Sequence, residues 1–399
     1  MSKYYFFFVR DSLPKSDAHL IQIVQCANAA ANLGYSVVLS FLDRRRSAYN
    51  PINWFLPFRP RRPDQTFVNF YNIRDRLQIL TLAMPWPIDR FPNKYTNSST
   101  ITCKYYWPLH ISSRTQLVHT RDWNFVKAAI NKGIPTIYEC HHHNSKRYEP
   151  DIVNSPLLQV AVTVIDSVRD SMVNNGMPIE KIVVVPNGYN ALFLERQPQA
   201  AQEWRDQLLL RHNRRKLAVY GGALYSFKGI DQILEIAGDF PDVSFALAGG
   251  PEAQRQLYQQ RIAEKQLDNV ELLGFLPQRA LSSLLQAADV LLHPHCSGEA
   301  AKFTSPLKLF DYMASGTPII ATRIQSLRSF EGTEAIAAWC DPDRPAALAS
   351  CLRNVLQTTA ESASNFPVSI DFVKQFSWEN RIQKILEHVD PAFRPTMAA

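Results

Sequence analysis

Between Phe303 and Ala321 the chain reads FTSPLKLFDYMASGTPIIA. Lys308 and Asp311 interrupt an otherwise apolar run there. Thr304 or Ser305 suits a helix N-cap, and Pro306 suits the first helical position. The amides of Leu307 and Lys308 would then leave an electropositive helix tip, which favours phosphate. Leu307, Phe310 and Ala314 fall at i, i+3 and i+7 and make the buried stripe, while Lys308 and Asp311 share a different face. On that face a lysine can meet a phosphate. An aspartate one turn deeper can accept hydrogen bonds from sugar hydroxyls. The same spacing also fits a surface ion pair worth about a few tenths of a kcal/mol.

Other stretches carry weaker signals. Gly221 and Gly222 follow one apolar run, Lys228–Gly229 precede the next helix, and Gly249–Gly250–Pro251 follow another run. Glycine turns after strands let backbone approach a ligand, although neither matches a P-loop or GxGxxG. Asp341–Asp343 read DPD, a metal-like pattern, but they precede a helix and suit capping. His141 to His143 are adjacent on an extended segment and point in alternate directions, which is poor zinc geometry; no metal is expected. His141 can hold a structural role, with Glu139 its neighbour at the strand end or a plain strand position. Arg44, Arg45, Arg46, Trp54 and Phe55 mix cations with aromatics. That mixture suits a lipid interface, an acidic acceptor, single-stranded nucleic acid or an inward-packed cover loop.

These residues need elements to hold them. Strand and helix alternate through most of the chain, which predicts parallel sheets with helices on both faces. KYYFFFV reads as the first strand, Asp17 to Leu33 as a helix stopped by Gly34, and YSVVLSF as the second strand. LVHT, IPTIYEC, LQVAVTVI and IVVV continue the set, with Asp122 capping a helix between the first two. From KLAVYGG onward the rhythm repeats through VSFALAGG, VELLGF, DVLLHP and PIIAT. The two halves meet near residues 186–213. A last helix starts at Ser377 and turns Ile382, Ile385, Leu386 and Val389 to one side. Residues 42–110 are rich in Pro, Arg and aromatics and show little periodicity.

The chain has 399 residues, 46% apolar and 20% charged, which fits globular domains. No apolar run reaches the roughly 20 residues of a membrane span, and YYFFFV is too short for a signal core. Six scattered cysteines without a CxxC pair fit reduced thiols in the cytoplasm. Residues 1–150 hold 20 Lys and Arg against 9 Asp and Glu, and the rest 23 against 27. The first half therefore favours an anionic partner or presents a solvated basic face.

Taken in order, VVVPNGYN, VYGGALYSFKGIDQIL, FALAGGP, VELLGFLP, ADVLLHP, SPLKLFDYMASGTPIIAT and FSWENR resemble the retaining nucleotide-sugar glycosyltransferases of family four. The resemblance covers roughly 180–390, is weaker over 1–40 and 117–185, and is absent over 42–110. It implies an α/β GT-B fold: two doubly wound Rossmann-like domains facing across a cleft, with the C-terminal helix returning to the first. The expected boundaries are 1–190 plus 377–390 for an acceptor-side domain and 191–376 for a nucleotide-sugar domain. Lys228 matches the lysine that binds the donor diphosphate. Thr304, Ser305, Pro306, Leu307 and Lys308 fall beside that diphosphate. Asp311 stands where the family has a glutamate reaching the ribose. Gly274 and Phe275 match the turn that holds the base, with Gly222 and Gly249 in the donor turns. His141 matches a histidine near the donor sugar. His141, Lys228 and Lys308 are thus the catalytic candidates.

The chain also departs from the pattern. Phe303 falls where the family has a second carboxylate, for which Glu299 lies near enough to substitute. Ala223 replaces an arginine, and DSLPKSD replaces a glycine-rich turn. The expected activity is metal-independent, retaining sugar transfer from a nucleotide diphosphate sugar to a hydroxyl acceptor, in polysaccharide or glycolipid synthesis. No cofactor beyond the donor substrate is expected. The expected location is the cytoplasm, with peripheral membrane contact through the basic half. A non-catalytic binding protein and an epimerase of the same fold are the rivals; nucleic acid is the remaining, less favoured partner.

Overall fold

The computed structural model describes residues 3–44, 57–74, 76–84, 97–143, 145–210, 213–299, 301, 307–358 and 367–397. The chain divides into two compact units, Met1–Asn187 with Trp378–Ala399, and Gly188–Ser377.

In the first unit, β1 (Tyr4–Phe8), α1 (Ala18–Asn32) and β2 (Val37–Asp43) come first. Then follow α2 (Gln65–Tyr71), β3 (Gln78–Ala83), β4 (Thr115–Thr120) and α3 (Trp123–Ile130). β5 (Thr136–Glu139), β6 (Leu158–Thr163), α4 (Asp166–Asn174) and β7 (Ile182–Val184) complete the sheet. The strand order is β3-β2-β1-β4-β5-β6-β7, with every described pairing parallel. Strands covered on both faces must be apolar throughout, which is why YYFFF runs without alternation. Asp122 caps α3 by accepting the Phe125 N–H at 3.0 Å. The stretch 42–110, without clear periodicity in sequence, contributes α2, β3 and a π-helical segment Thr102–Ile111 around Pro108. Trp107 from that segment is fully buried and meets Phe6 and Phe125.

The second unit opens with α5 (Pro198–Leu209), β8 (Lys216–Gly221), α6 (Ile230–Ile236) and β9 (Val243–Ala248). Next are α7 (Glu252–Glu264), β10 (Val270–Gly274), α8 (Gln278–Ala287) and β11 (Val290–His293). α9 (Leu307–Ser315), β12 (Ile319–Thr322), β13 (Ala338–Cys340), α10 (Pro345–Thr358) and α11 (Pro367–Val373) follow. The order β10-β9-β8-β11-β12-β13 is again parallel at every described pairing. On α9, Phe310 and Ala314 are buried, as their spacing requires, with Leu307 partly covered. Gly316 at φ 71 stops the helix, and a Cβ there would strike Ile370.

α12 (Trp378–Glu387) belongs to the first unit. Its Trp378, Arg381, Ile382, Ile385 and Leu386 are buried, and its Glu379 accepts from Asn32 of α1 at 2.9 Å. Both sheets reverse their strand order in the middle, beside β1 and β4 in one and beside β8 and β11 in the other. Ligands of open α/β sheets bind at the carboxyl ends of such strands.

Candidate functional site

At the β8/β11 reversal the loops leave their strands in close contact. The turn Ser226–Lys228 ends at Gly229, φ 76, where a Cβ would lie 1.6 Å from the Pro294 carbonyl oxygen. Only glycine permits that approach. Cys296 N–H donates to Phe227 O at 3.0 Å, and Gln232 Nε2 donates to Pro294 O at 3.0 Å. The ends of β8, β9 and β10 are stacked in the same way. Gly222 N–H reaches Ala248 O at 2.8 Å, and Gly249 N–H reaches Gly274 O at 2.6 Å. A Cβ on Gly249 would sit 2.3 Å from Gly222 O.

Four basic groups gather there. Lys308, second residue of α9, holds its Nζ 3.9 Å from the Tyr220 ring centroid and beside Gly222. Among the described residues that buried ammonium has no hydrogen-bond partner. Burial, then the charge of Lys228, holds its pKa well below the ordinary lysine value. Burial lowers Lys228 to about 8. His293 and His295 are buried and stacked at 4.1 Å, and their four ring nitrogens have no partner among the described residues. Burial keeps both well below the usual histidine range, reinforced by the positive groups around them. Thr322 Oγ1 donates to the His295 carbonyl at 2.7 Å and fixes that backbone. Unpaired buried donors carry the full desolvation penalty, roughly 1–3 kcal/mol each, so the arrangement is set for an anion.

Asp311 lies deeper, accepting the Asn190 N–H at 3.1 Å, and burial raises it to about 7. Glu299 and Phe275 are exposed. Thr304, Ser305, Pro306 and Phe303 lie outside the described residues, so the expected helix tip is represented by Leu307 and Lys308. Asp343 of the DPD accepts the Ser297 N–H and hydroxyl, tying two loops together.

In the first unit Glu139, 1% exposed, is the centre of a saturated network. It accepts from Gln22 Nε2 at 2.6 Å, His119 Nε2 at 2.7 Å, His141 Nε2 at 2.9 Å and Arg381 at 2.9 and 3.4 Å. The Arg381 charge, followed by His119, holds its carboxyl well below the usual range against the opposing effect of burial. A carboxylate only accepts, so His119 and His141 carry their protons on Nε2. Their Nδ1 atoms accept from Tyr5 Oη at 2.8 Å and Arg121 at 3.2 Å. Burial and the Arg121 charge press His141 down to about 3, so it stays neutral. Arg44 is exposed, 3.7 Å from Asp11; Arg45, Arg46, Trp54 and Phe55 lie outside the described residues. Among the described residues no helix is long and apolar enough to cross a membrane.

The structure therefore brings Lys228, Lys308, Gly222, Gly249 and Gly274 to one edge of the second unit's sheet and puts His141 in the first unit. Sequence reasoning passed over His293, His295 and Arg381. The first two stand as HPH at the end of an apolar run, a visible signal; Arg381 in an amphipathic helix gives none.

Residues 201–366 match the family described as Glycosyl transferases group 1. A D-inositol 3-phosphate glycosyltransferase of Corynebacterium urealyticum is 27% identical over an alignment covering 43% of this chain and 42% of that protein. The chain thus matches less than half the length of that curated relative. HepE of Anabaena, solved with UDP and glucose, superposes with a TM-score of 0.69 at 14% identity, covering 96% of this chain and 98% of that one. WaaG, a glycosyltransferase of lipopolysaccharide biosynthesis, gives 0.62 at 12% identity over 97% and 100%. The fold of this chain is the two-domain α/β GT-B fold of these proteins.

Proposed function

We propose that this chain, whose residues 201–366 match the Glycosyl transferases group 1 family, moves a sugar from a nucleoside diphosphate donor to a hydroxyl acceptor with retention of configuration. The observation that carries the reading is the unpartnered basic nest of Lys308, His293 and His295 beside Lys228. A diphosphate supplies the missing negative charge and the missing acceptors. As the sugar–phosphate bond breaks, charge grows on the leaving phosphate, and fixed cations stabilise that state over the ground state. Losing one such donor raises the barrier by about 2.7–4 kcal/mol, by analogy with oxyanion holes. The departing phosphate takes the acceptor proton, so no side-chain nucleophile and no metal enters the scheme.

In this reading the second unit holds the donor, with Gly274 and Phe275 at the base, Asp311 towards the ribose, and Glu299 and residues 304–307 beside the sugar diphosphate. The first unit holds the acceptor. His141 acts there as a neutral, fixed group, since both ring nitrogens are engaged. The UDP bound to HepE makes uridine the first base to try. A polysaccharide or glycolipid acceptor, a cytoplasmic site and lipid contact through Arg44, Arg45, Arg46, Trp54 and Phe55 belong to the same proposal.

The test is a panel of UDP-glucose, GDP-mannose and ADP-glucose, scored by thermal stabilisation and by release of free nucleotide. One donor should stabilise and turn over, EDTA should not slow it, and Lys308→Ala should abolish it. Absence of both responses for every donor refutes the reading. Stabilisation without turnover across an acceptor panel marks a non-catalytic binder, and donor conversion without acceptor marks an epimerase.

A further inference from the structure

At the strand reversal of the first unit, Arg121 directly follows β4. Its guanidinium donates to Gln22 Oε1 at 3.3 Å, His141 Nδ1 at 3.2 Å and His142 Nε2 at 3.0 Å. All three acceptors are neutral. Other first-unit cations have carboxylate partners: Arg10 lies 3.2 Å from Asp122, and Lys15 and Arg44 share Asp11 at 2.7 and 3.7 Å. No described carboxylate lies within ion-pair distance of Arg121. Glu139 feels its charge but is already neutralised by Arg381. Arg121 is therefore one net positive charge, half-buried and held in a fixed orientation by neutral hydrogen bonds, at the edge where such sheets take ligands.

His142 and His19 flank it, both exposed and both within reach of its charge. Because His142 accepts at Nε2, its proton sits on Nδ1. A planar guanidinium held in place with imidazoles around it suits the several acceptor oxygens of a phosphoryl group.

We propose that Arg121, with His142 and His19, binds a phosphate monoester in the first unit, the anionic group of the acceptor. The proposal rests on the reading of that unit as the acceptor side. It is new relative to the diphosphate nest, since it uses none of those residues and a different sheet.

The test titrates inorganic phosphate and glucose 6-phosphate by calorimetry into the full chain held in saturating UDP, which occupies the diphosphate nest, as wild type, Arg121→Gln and Lys308→Met. Arg121→Gln should weaken phosphate roughly tenfold or more, while Lys308→Met leaves it within about twofold. Unchanged affinity in Arg121→Gln, loss only in Lys308→Met, or no binding to wild type overturns the site. UDP binding by Arg121→Gln checks that the variant is folded. A measurement needing no variant is phenylglyoxal modification of the wild type mapped by peptide mass. Phosphate should protect Arg121 but not Arg44, and equal labelling with and without phosphate contradicts the proposal. Vesicles of phosphatidic acid against phosphatidylcholine separate the sources. Arg121-dependent capture on phosphatidic acid assigns a lipid headgroup, whereas response to the soluble esters alone assigns a soluble acceptor. Failure of the transferase reading shows instead with nucleotide sugars and Lys308, so the two can fail separately.

Discussion

Both units bring basic side chains to the place where a parallel sheet reverses its strand order, yet they treat them in opposite ways. In the first unit Arg381 is 2% exposed and fully matched by Glu139. In the second, the Lys308 ammonium is enclosed with no partner among the described residues, beside two histidines with none there either. A buried cation with its carboxylate completes a fold. One without it is held at a cost that only a ligand offsets. Arg121 stands between the two cases, fixed by neutral groups and left with its charge.

The largest effect that can break this contrast is on the closed network. Arg381→Met strands Glu139 in the core and should cost about 3–5 kcal/mol, read as a fall in the denaturation midpoint of the first unit. A loss within about 0.5 kcal/mol, the range of ordinary surface changes, would show that the network is not a closed structural one.

Next in size is Asp311. Burial places it at about 7, against 3.8 in the unfolded chain. The folded form binds a proton that the unfolded chain releases between those values, so the group opposes folding most above pH 7, and the penalty fades as pH falls towards 4. Asp311→Asn keeps an acceptor for the Asn190 N–H. It should raise stability at pH 8 by roughly 1–3 kcal/mol and change it little at pH 4. A variant less stable than wild type at pH 8 contradicts a carboxylate whose charged form burial disfavours by more than the Asn190 N–H restores.

The smallest effect concerns Lys228. Burial sets it at about 8, from 10.5, so much of it is neutral at pH 8.5. A diphosphate beside it favours the charged form, and UDP binding at that pH should take up on the order of half a proton. Calorimetry in buffers of different ionisation enthalpy reads this directly; zero or net release would separate Lys228 from the diphosphate.

Much of the framework is legible in the amino-acid order because parallel strands buried on both faces leave unbroken apolar runs, such as VSFALA and LQVAVT. Phe310 and Ala314 similarly announce the inner face of α9. β3 is not legible: its QILTLA lies in a stretch crowded with Pro and Arg, and its place beside β2 depends on contacts distant in sequence. β13 is too short, three residues, to show a period. The site divides in the same way. Lys228 and Lys308 are visible through their neighbours in motifs. Arg381 is hidden because its partner Glu139 is 242 residues away and its helix stripe, Trp378, Arg381 and Ile385, admits a buried charge only once that carboxylate is known. His293 and His295 are visible as HPH, but the signal is ambiguous, because a histidine at a strand end marks burial as readily as binding.

The central claim is that the second unit's basic nest is kept open for a diphosphate. Lys308→Met tests it most directly, by comparing UDP with uridine in calorimetry alongside the unliganded denaturation midpoint. The account predicts a variant at least as stable as wild type whose preference for UDP over uridine falls by roughly tenfold or more. A variant that loses stability while keeping the full preference would contradict it.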